Sequence, residues 1–221
     1  MRLMDMFDIP AEIMDRPHSA AFAEFLGTWF GYTKALSLGE ADLSFLNDLT
    51  QEEWRLAREL IRRNLKSRVW TVIAGAYILN DSEAIPILRR MLKEERSLDL
   101  RLTIASALWK LAKDPVLIAC LDEARRSGGG PLFAHLRKVL WLNNEWALDF
   151  MIDLLSNGDS LASSGALYLL NELEFGERIL KPLLEMPRQA RDFEKRRNDP
   201  DFRRLMTDAI RRWNETTTIL W

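Results

Sequence analysis

The sequence predicts an all-α chain built from consecutive helical hairpins behind a short N-terminal cap. Apolar residues recur at helical spacing in nearly every segment after Thr50, tight polar turns separate these segments, and no segment shows convincing strand alternation. The hairpins restart near Thr50, Asp81, Asp114, Asn144 and Gly176, which is a period of about 30–33 residues. Hairpins that recur in this way cannot bury their apolar faces alone, so they stack against their neighbours.

Local start and stop signals define the individual helices. Thr50 and Glu53 have the spacing of a capping box, and the apolar face of the helix behind them continues to Leu65. Asp114 followed by Pro115 is an N-cap before a proline in the first helical turn. The expected helices cover residues 51–65, 69–79, 85–95, 98–111, 116–126, 131–142, 145–155, 161–173, 176–185 and 201–214.

Residues 1–49 do not follow the period of the hairpins. The stretch 19–35 is an aromatic-rich apolar helix, and Leu43, Leu46 and Leu49 indicate a second, short one. Because the ends of a stacked array need a cover, we interpret 1–49 as an N-terminal helical cap. An aromatic surface for a partner is the alternative. The helical repeats then span 50–214, and 215–221 form a C-terminal tail of one continuous structural domain.

Two of the helices, at 99–108 and 201–210, align with each other without gaps. Both begin with Asp-x-Arg and end with a small residue before Leu or Ile; the matching residues are Asp99, Arg101, Ala107, Asp201, Arg203 and Ala209. This pattern resembles the second helix of a HEAT repeat, in which Asp and Arg tie adjacent repeats together and small residues let helices approach. The resemblance implies a right-handed α-α superhelix, a HEAT-like solenoid of about five helical hairpins, with two good repeats and three degenerate ones.

A half-buried arginine in such a helix needs an acceptor. An aspartate two positions earlier can supply it, and so can an aspartate of the next repeat. Small residues at the matching positions allow helix axes to approach to about 8–10 Å.

The composition excludes several classes of protein. One cysteine, Cys120, rules out an intramolecular disulfide framework and a cysteine-cluster zinc site, and two histidines argue against histidine-based metal or acid–base chemistry. No HExxH, P-loop or GxGxxG motif is present, so we expect no cofactor and no metal. There is no signal-peptide pattern at the N-terminus and no run of about 18 apolar residues, so we expect a soluble cytoplasmic protein without a membrane segment.

Charge is nearly balanced overall but separates into blocks along the chain. The net charge is −2, which disfavours a general nucleic-acid binder. There are 3 basic and 8 acidic residues in 1–50, 13 basic and 8 acidic in 51–113, 4 basic and 9 acidic in 114–175, and 11 basic and 8 acidic in 176–221. The blocks therefore alternate between −5, +5, −5 and +3. They are either solvated helix surfaces or patches that orient a charged partner.

No combination of acid, base and nucleophile stands out, so we expect no catalytic residue. Cys120 and His135 could meet across a hairpin, but the apolar residues around Cys120 favour a place in the core. The most acidic stretch is either a solvated face or a docking patch for a basic partner; it comprises Asp122, Glu123, Glu145, Asp149 and Asp153.

The predicted function is non-catalytic binding of a protein partner on the concave face that the second helices would form. The candidate contact residues are Arg101, Trp109, Arg137, Trp141, Asp149, Asp153 and Arg203. The small size and the charge blocks suggest a bacterial immunity or antitoxin-like protein. The alternative is a HEAT-like DNA-binding protein or alkylpurine DNA glycosylase, which would place Arg101, Arg137, Lys138 and Arg203 on one concave face.

Overall fold

The computed structural model describes residues 7–15, 17–31, 43–127, 139, 142, 145–157, 166 and 198–216. These ranges contain helices and turns and no β-strand, which confirms the all-α prediction. Their helices are α1 (Ala11–Asp15), α2 (Ala20–Phe30), α3 (Gln51–Asn64), α4 (Trp70–Ile78), α5 (Ile85–Glu94), α6 (Leu98–Ala112), α7 (Val116–Arg126), α8 (Glu145–Asn157) and α9 (Pro200–Thr216), with a 3₁₀ segment at Ser44–Asp48. Within the described ranges, none of these helices combines the length and apolarity needed to cross a bilayer.

Most predicted helices are present with their ends shifted by one or two residues. The helix expected at 19–35 ends at Phe30, where Gly31 is extended and its N–H donates to Gly27 O and Leu26 O. The short helix α1 had no counterpart in the prediction. The helices expected at 131–142, 161–173 and 176–185 lie outside the described residues, apart from the single buried positions 139, 142 and 166.

The chain divides into two compact units, Met1–Ile118 with Leu220–Trp221, and Ala119–Ile219. The first unit contains α1, α2 and the 3₁₀ segment, which we call the cap after their predicted role, together with two hairpins, α3–α4 and α5–α6. In it, α4 packs against α3 and α6, and α5 packs against α6. Small residues are buried in these helices: Gly75 and Ala76 of α4 and Ala107 of α6 are buried, and Ala76 and Ala107 have no exposed surface.

Both hairpins of the first unit end in the same kind of turn. Asn80 and Lys113 adopt the left-handed conformation, with φ of 49° and 51°, and each is followed by an aspartate. The Oδ1 atoms of Asp81 and Asp114 accept the N–H two residues later, at 3.2 Å in both cases. These turns lie 33 residues apart, which matches the period read from the sequence. The likeness of the repeats to HEAT repeats stays a prediction.

The cap is joined to α3 by two buried polar side chains. Glu53, 8% exposed, completes the predicted capping box with Thr50 and also accepts the N–H of Ser19, the N-cap of α2, at 3.0 Å. Asn64, 1% exposed, accepts the N–H of Asp8 at 2.7 Å and donates to Asp8 O at 3.2 Å. Both ends of α3 therefore hold backbone of the N-terminal segment in place.

Aromatic side chains fill the space between the cap and the hairpins. Phe22, Phe25, Trp29 and Phe30 are at most 1% exposed, and the Phe25 and Trp29 rings lie 5.0 Å apart. The described part of the N-terminal aromatic helix is thus core; that 1–49 covers the end of a stacked array stays a prediction.

In the second unit, α8 and α9 contact each other. The α8 residues Ala147, Leu148, Met151 and Ile152 are buried, as are Phe202 and Met206 of α9. Helix α7 crosses the division between the units, and the Cys120 side chain on it is 1% exposed, in agreement with its predicted place in the core.

Candidate functional site

A groove of about 540 Å³ opens between α3 and the turn that follows α4. One wall consists of the α3 side chains Trp54, Arg55, Arg58 and Arg62, with Gln51 and Glu52 at the start of the helix, and the other wall is the turn 80–83. We call this site the α3 groove. All of its residues belong to the first unit.

The sequence of α3 separates an apolar face from a basic one. Leu56, Ala57, Leu60 and Ile61 are buried, whereas the positions 54/55, 58 and 62 recur at helical spacing on the side turned to the groove. The capping box at Thr50 fixes where the helix begins, and so it fixes which residues face the turn. The basic stripe is therefore a direct result of the helical register.

Arg62 and two carboxylates form one end of the groove. Arg62 Nη1 lies 2.7 Å from Asp81 Oδ1 and 3.1 Å from Glu83 Oε2. The side chain of Asp81 is only 3% exposed, and its Oδ1 atom also accepts the N–H of Glu83. Because one guanidinium serves two carboxylates, the charge of Arg62 is compensated and this end carries a net negative charge.

Arg58 lies between Arg55 and Arg62 along α3 and is held on two sides. Its Nε donates to Leu79 O at 2.9 Å, and its guanidinium carbon lies 5.5 Å from the centroid of the Trp54 ring. Among the described residues, no acceptor bonds to its two terminal nitrogens and no carboxylate pairs with it. The guanidinium is thus fixed in orientation while its outer N–H groups remain available.

Arg55 adds a second positive charge beside Arg58. Its side chain is exposed and makes no ion pair with any described residue. Arg55 and Arg58 are three positions apart, so their side chains are neighbours on the helix surface. The centre of the groove therefore presents two cations next to a half-buried indole, in the segment 51–113 with the highest net positive charge.

The contact residues predicted in the first unit lie on α6, away from the residues of the α3 groove. Arg101 and Trp109 are half-buried, Asp99 is exposed and Ala107 is fully buried. The ammonium group of Lys113 lies 5.5 Å from the Trp109 ring centroid. Burial, with a smaller contribution from Lys113, lowers the pKa of Lys110 to about 8.

The predicted carboxylates of the second unit are engaged in ion pairs. Asp149 Oδ1 lies 2.9 Å from Arg203, and Asp153 Oδ2 lies 2.8 Å from Arg125, which also contacts Asp122 at 3.5 Å. Neutralised carboxylates attract a basic partner less strongly than free ones. This arrangement favours a structural role for the acidic stretch, as opposed to a docking patch.

The Asp-x-Arg pattern of α9 does not pair internally. Arg203 bonds to Asp149, 54 positions earlier on α8, while Asp201 pairs with Arg204 at 2.9 Å. The carboxylate for Arg203 therefore comes from neither expected source, since Asp149 is not two positions earlier and belongs to an earlier helix, not to a following repeat. Arg137, Lys138, Trp141 and the side chain of Ala209 lie outside the described residues, and Arg101 and Arg203 belong to different units.

The described residues include no group of three or more His, Cys, Asp and Glu side chains that could hold a metal ion. His135, the suggested partner of Cys120, lies outside the described residues. The α3 groove lacks a cysteine, a histidine and an exposed hydroxyl nucleophile paired with a base. The α3 groove presents guanidinium groups and an indole together with the carboxylates of Glu52, Asp81 and Glu83.

No protein-family model, curated protein or solved structure matches this chain significantly. The geometry of the α3 groove therefore carries the functional proposal.

Proposed function

We propose that the chain is a non-catalytic protein-binding module and that the α3 groove is part of its contact surface. The observation that carries the proposal is the pair Arg55 and Arg58, two cations without a carboxylate partner among the described residues, beside the half-buried Trp54. Trp and Arg are the residue types that most often dominate the binding energy of protein interfaces. The positive block 51–113 supports the proposal because it would steer an acidic partner to this face.

The proposal keeps the predicted class of function and adds a contact surface. The predicted concave-face residues were assigned to the second helices of the hairpins, whereas the α3 groove is built from a first helix and a turn. An immunity or antitoxin-like role is the narrower form of the proposal, in which the partner is a toxic effector.

Affinity capture from the native lysate tests the proposal, with nuclease-treated and untreated samples compared by mass spectrometry. The bait is the tagged chain, the double variant Arg55→Ala/Arg58→Ala, or Arg90→Ala as a matched control. Arg90 is exposed on α5 and lies outside the groove. We expect one stoichiometric, nuclease-resistant protein that the unmodified chain and the control retain and the double variant loses.

Two outcomes contradict the proposal, and a third supports its narrower form. Equal capture by the double variant would remove the α3 groove from the contact surface. Loss of every captured protein after nuclease treatment would favour nucleic-acid binding instead. If the captured protein is toxic when expressed alone, and co-expression of the chain prevents this toxicity, the immunity role is supported.

A further inference from the structure

The orientation of Arg58 makes it the specific donor in the α3 groove. Its Nε is committed to Leu79 O at 2.9 Å, and the Trp54 ring supports one side of the guanidinium. Two parallel N–H groups of a fixed guanidinium match the two oxygens of a carboxylate. Since the side chain is already held in place, little rotamer entropy is lost when such a ligand binds.

The two neighbouring arginines cannot replace Arg58 in this role. Arg62 is shared between Asp81 and Glu83 at 2.7 and 3.1 Å, so its charge is already compensated. Arg55 is exposed and has no contact that fixes its orientation among the described residues. It contributes attraction at a distance, whereas Arg58 contributes directional hydrogen bonds.

The total charge of the lining limits the charged group of the ligand to a single small anion. The lining contains three arginines but also Glu52, Asp81 and Glu83, so it is formally neutral as a whole. A chain of phosphates would meet the carboxylates at both ends of the groove, and close like charges repel. A single carboxylate bound at Arg58 gains the attraction of Arg55 and Arg58 and adds only one negative charge to the groove.

Building on the proposed function, we propose that the α3 groove recognises an Asp or Glu side chain of the partner. The side-chain carboxylate is bound by the terminal nitrogens of Arg58, and an adjacent apolar residue of the same segment packs on Trp54. The expected ligand is thus an extended or helical peptide segment with an acidic residue next to an aromatic or aliphatic one.

A display library of random nine-residue peptides, selected on the intact chain and counter-selected on Arg58→Ala, tests this inference. The enriched peptides should share one acidic position beside an apolar one. The best peptide is then synthesised with both ends blocked, so that only side-chain carboxylates remain, and again with the acidic residue replaced by its amide. We expect the amide to bind about tenfold more weakly, which corresponds to about 1.4 kcal/mol.

Conservative variants distinguish the effect of the paired N–H groups of Arg58 from the effect of its charge and from loss of folding. Arg58→Lys keeps the charge but loses the paired N–H groups, so it should weaken binding of the acidic peptide about as much as Arg58→Ala does. Arg90→Ala should leave the affinity unchanged. Urea unfolding midpoints that match the unmodified chain would show that the variants are folded.

Several results would overturn the inference. They are a failure to enrich peptides on the intact chain over Arg58→Ala, equal affinity of the acidic peptide and its amide, and full affinity in Arg58→Lys. Binding of a short single-stranded oligonucleotide at physiological salt, without binding of the acidic peptide, would also overturn it in favour of a phosphate ligand. These results leave the lysate capture unaffected: a partner lost by the double variant would still support the proposed function.

Discussion

Gly75 of α4 lies against Trp29 of the cap and Ile61 of α3, and its replacement by alanine tests how these elements are packed. A Cβ atom at residue 75 would lie 2.6 Å from Trp29 Nε1, 2.6 Å from Ile61 Cδ1 and 3.0 Å from Trp29 Cδ1. Trp29 is 1% exposed and Ile61 is fully buried. In a close-packed interior, neither side chain has open space into which it can move.

The expected effect combines two opposing contributions. Overpacking a core costs about 1–3 kcal/mol, whereas Gly→Ala inside a helix otherwise stabilises by about 1 kcal/mol. Gly27 of α2 supplies a matched control, because a Cβ there meets no atom within 4 Å. We therefore expect Gly27→Ala to stabilise the chain by up to about 1 kcal/mol, and Gly75→Ala to be less stable than Gly27→Ala by about 1–3 kcal/mol.

Urea unfolding followed by far-ultraviolet circular dichroism measures this difference. Trp29→Phe provides a second test because it removes the indole atoms nearest to residue 75, so Gly75→Ala should cost less in that background. Equal midpoints for Gly27→Ala and Gly75→Ala would refute the close approach of the Trp29 ring to α4. An unchanged cost of Gly75→Ala in the Trp29→Phe background would show that the ring is not the obstacle.

Three further substitutions test the cap and the helix contacts. Burial opposes ionisation of Glu53, but hydrogen bonds from the N-caps of α2 and α3 lower its pKa from 4.5 to about 2. Because the pKa is lower in the folded chain than in the unfolded one, ionised Glu53 stabilises the fold fully above about pH 4.5. This stabilisation is lost as the pH falls towards 2. Glu53→Gln should therefore lower the free energy of unfolding by about 2 kcal/mol at pH 7, after allowance for solvent screening, and by progressively less in acid. A difference in unfolding free energy that does not change with pH would contradict this. Asn64→Ala removes the hydrogen bonds of the side-chain amide to the backbone of Asp8 and should lower the free energy of unfolding by about 1–2 kcal/mol, with faster proteolysis near Asp8. An unchanged rate of cleavage would contradict a role of Asn64 in holding this segment. Ala107→Leu overpacks a fully buried site and should cost about 1–3 kcal/mol, whereas Ala112→Leu at the exposed end of α6 should have little effect.

Much of the fold is predictable because its signals are local. The capping box at Thr50 and the Asp114–Pro115 pair specify helix starts through hydrogen bonds within a few residues, and the structure places α3 and α7 where they predict. The end of α2 is less predictable because the apolar pattern continues beyond Gly31, where the backbone becomes extended. The links from Glu53 to Ser19 and from Asn64 to Asp8 span 34 and 56 positions, and no local pattern indicates such contacts.

The candidate site is predictable only in part. Arg55, Arg58 and Arg62 recur at helical spacing in the most positive block of the sequence, and this signal could have indicated a basic stripe on α3. The helical spacing could not indicate which of these arginines has its charge neutralised by a carboxylate. That depends on the turn after α4, which brings Asp81 next to Arg62, 19 positions away, and Leu79 O next to Arg58, 21 positions away.

Asp81 and Asp114 occupy equivalent positions in the two turns of the first unit, but their ion pairs differ in burial. Arg89 and Asp114 have side chains that are 56% and 17% exposed, and such an ion pair contributes little to stability. Arg62 and Asp81 are 22% and 3% exposed, and the desolvation of a buried pair offsets much of its attraction. We therefore infer that the main effect of the Arg62–Asp81 pair is geometric. It holds the turn against α3 and compensates the charge of Arg62, so that Arg58 remains the one oriented guanidinium of the α3 groove with its terminal nitrogens available.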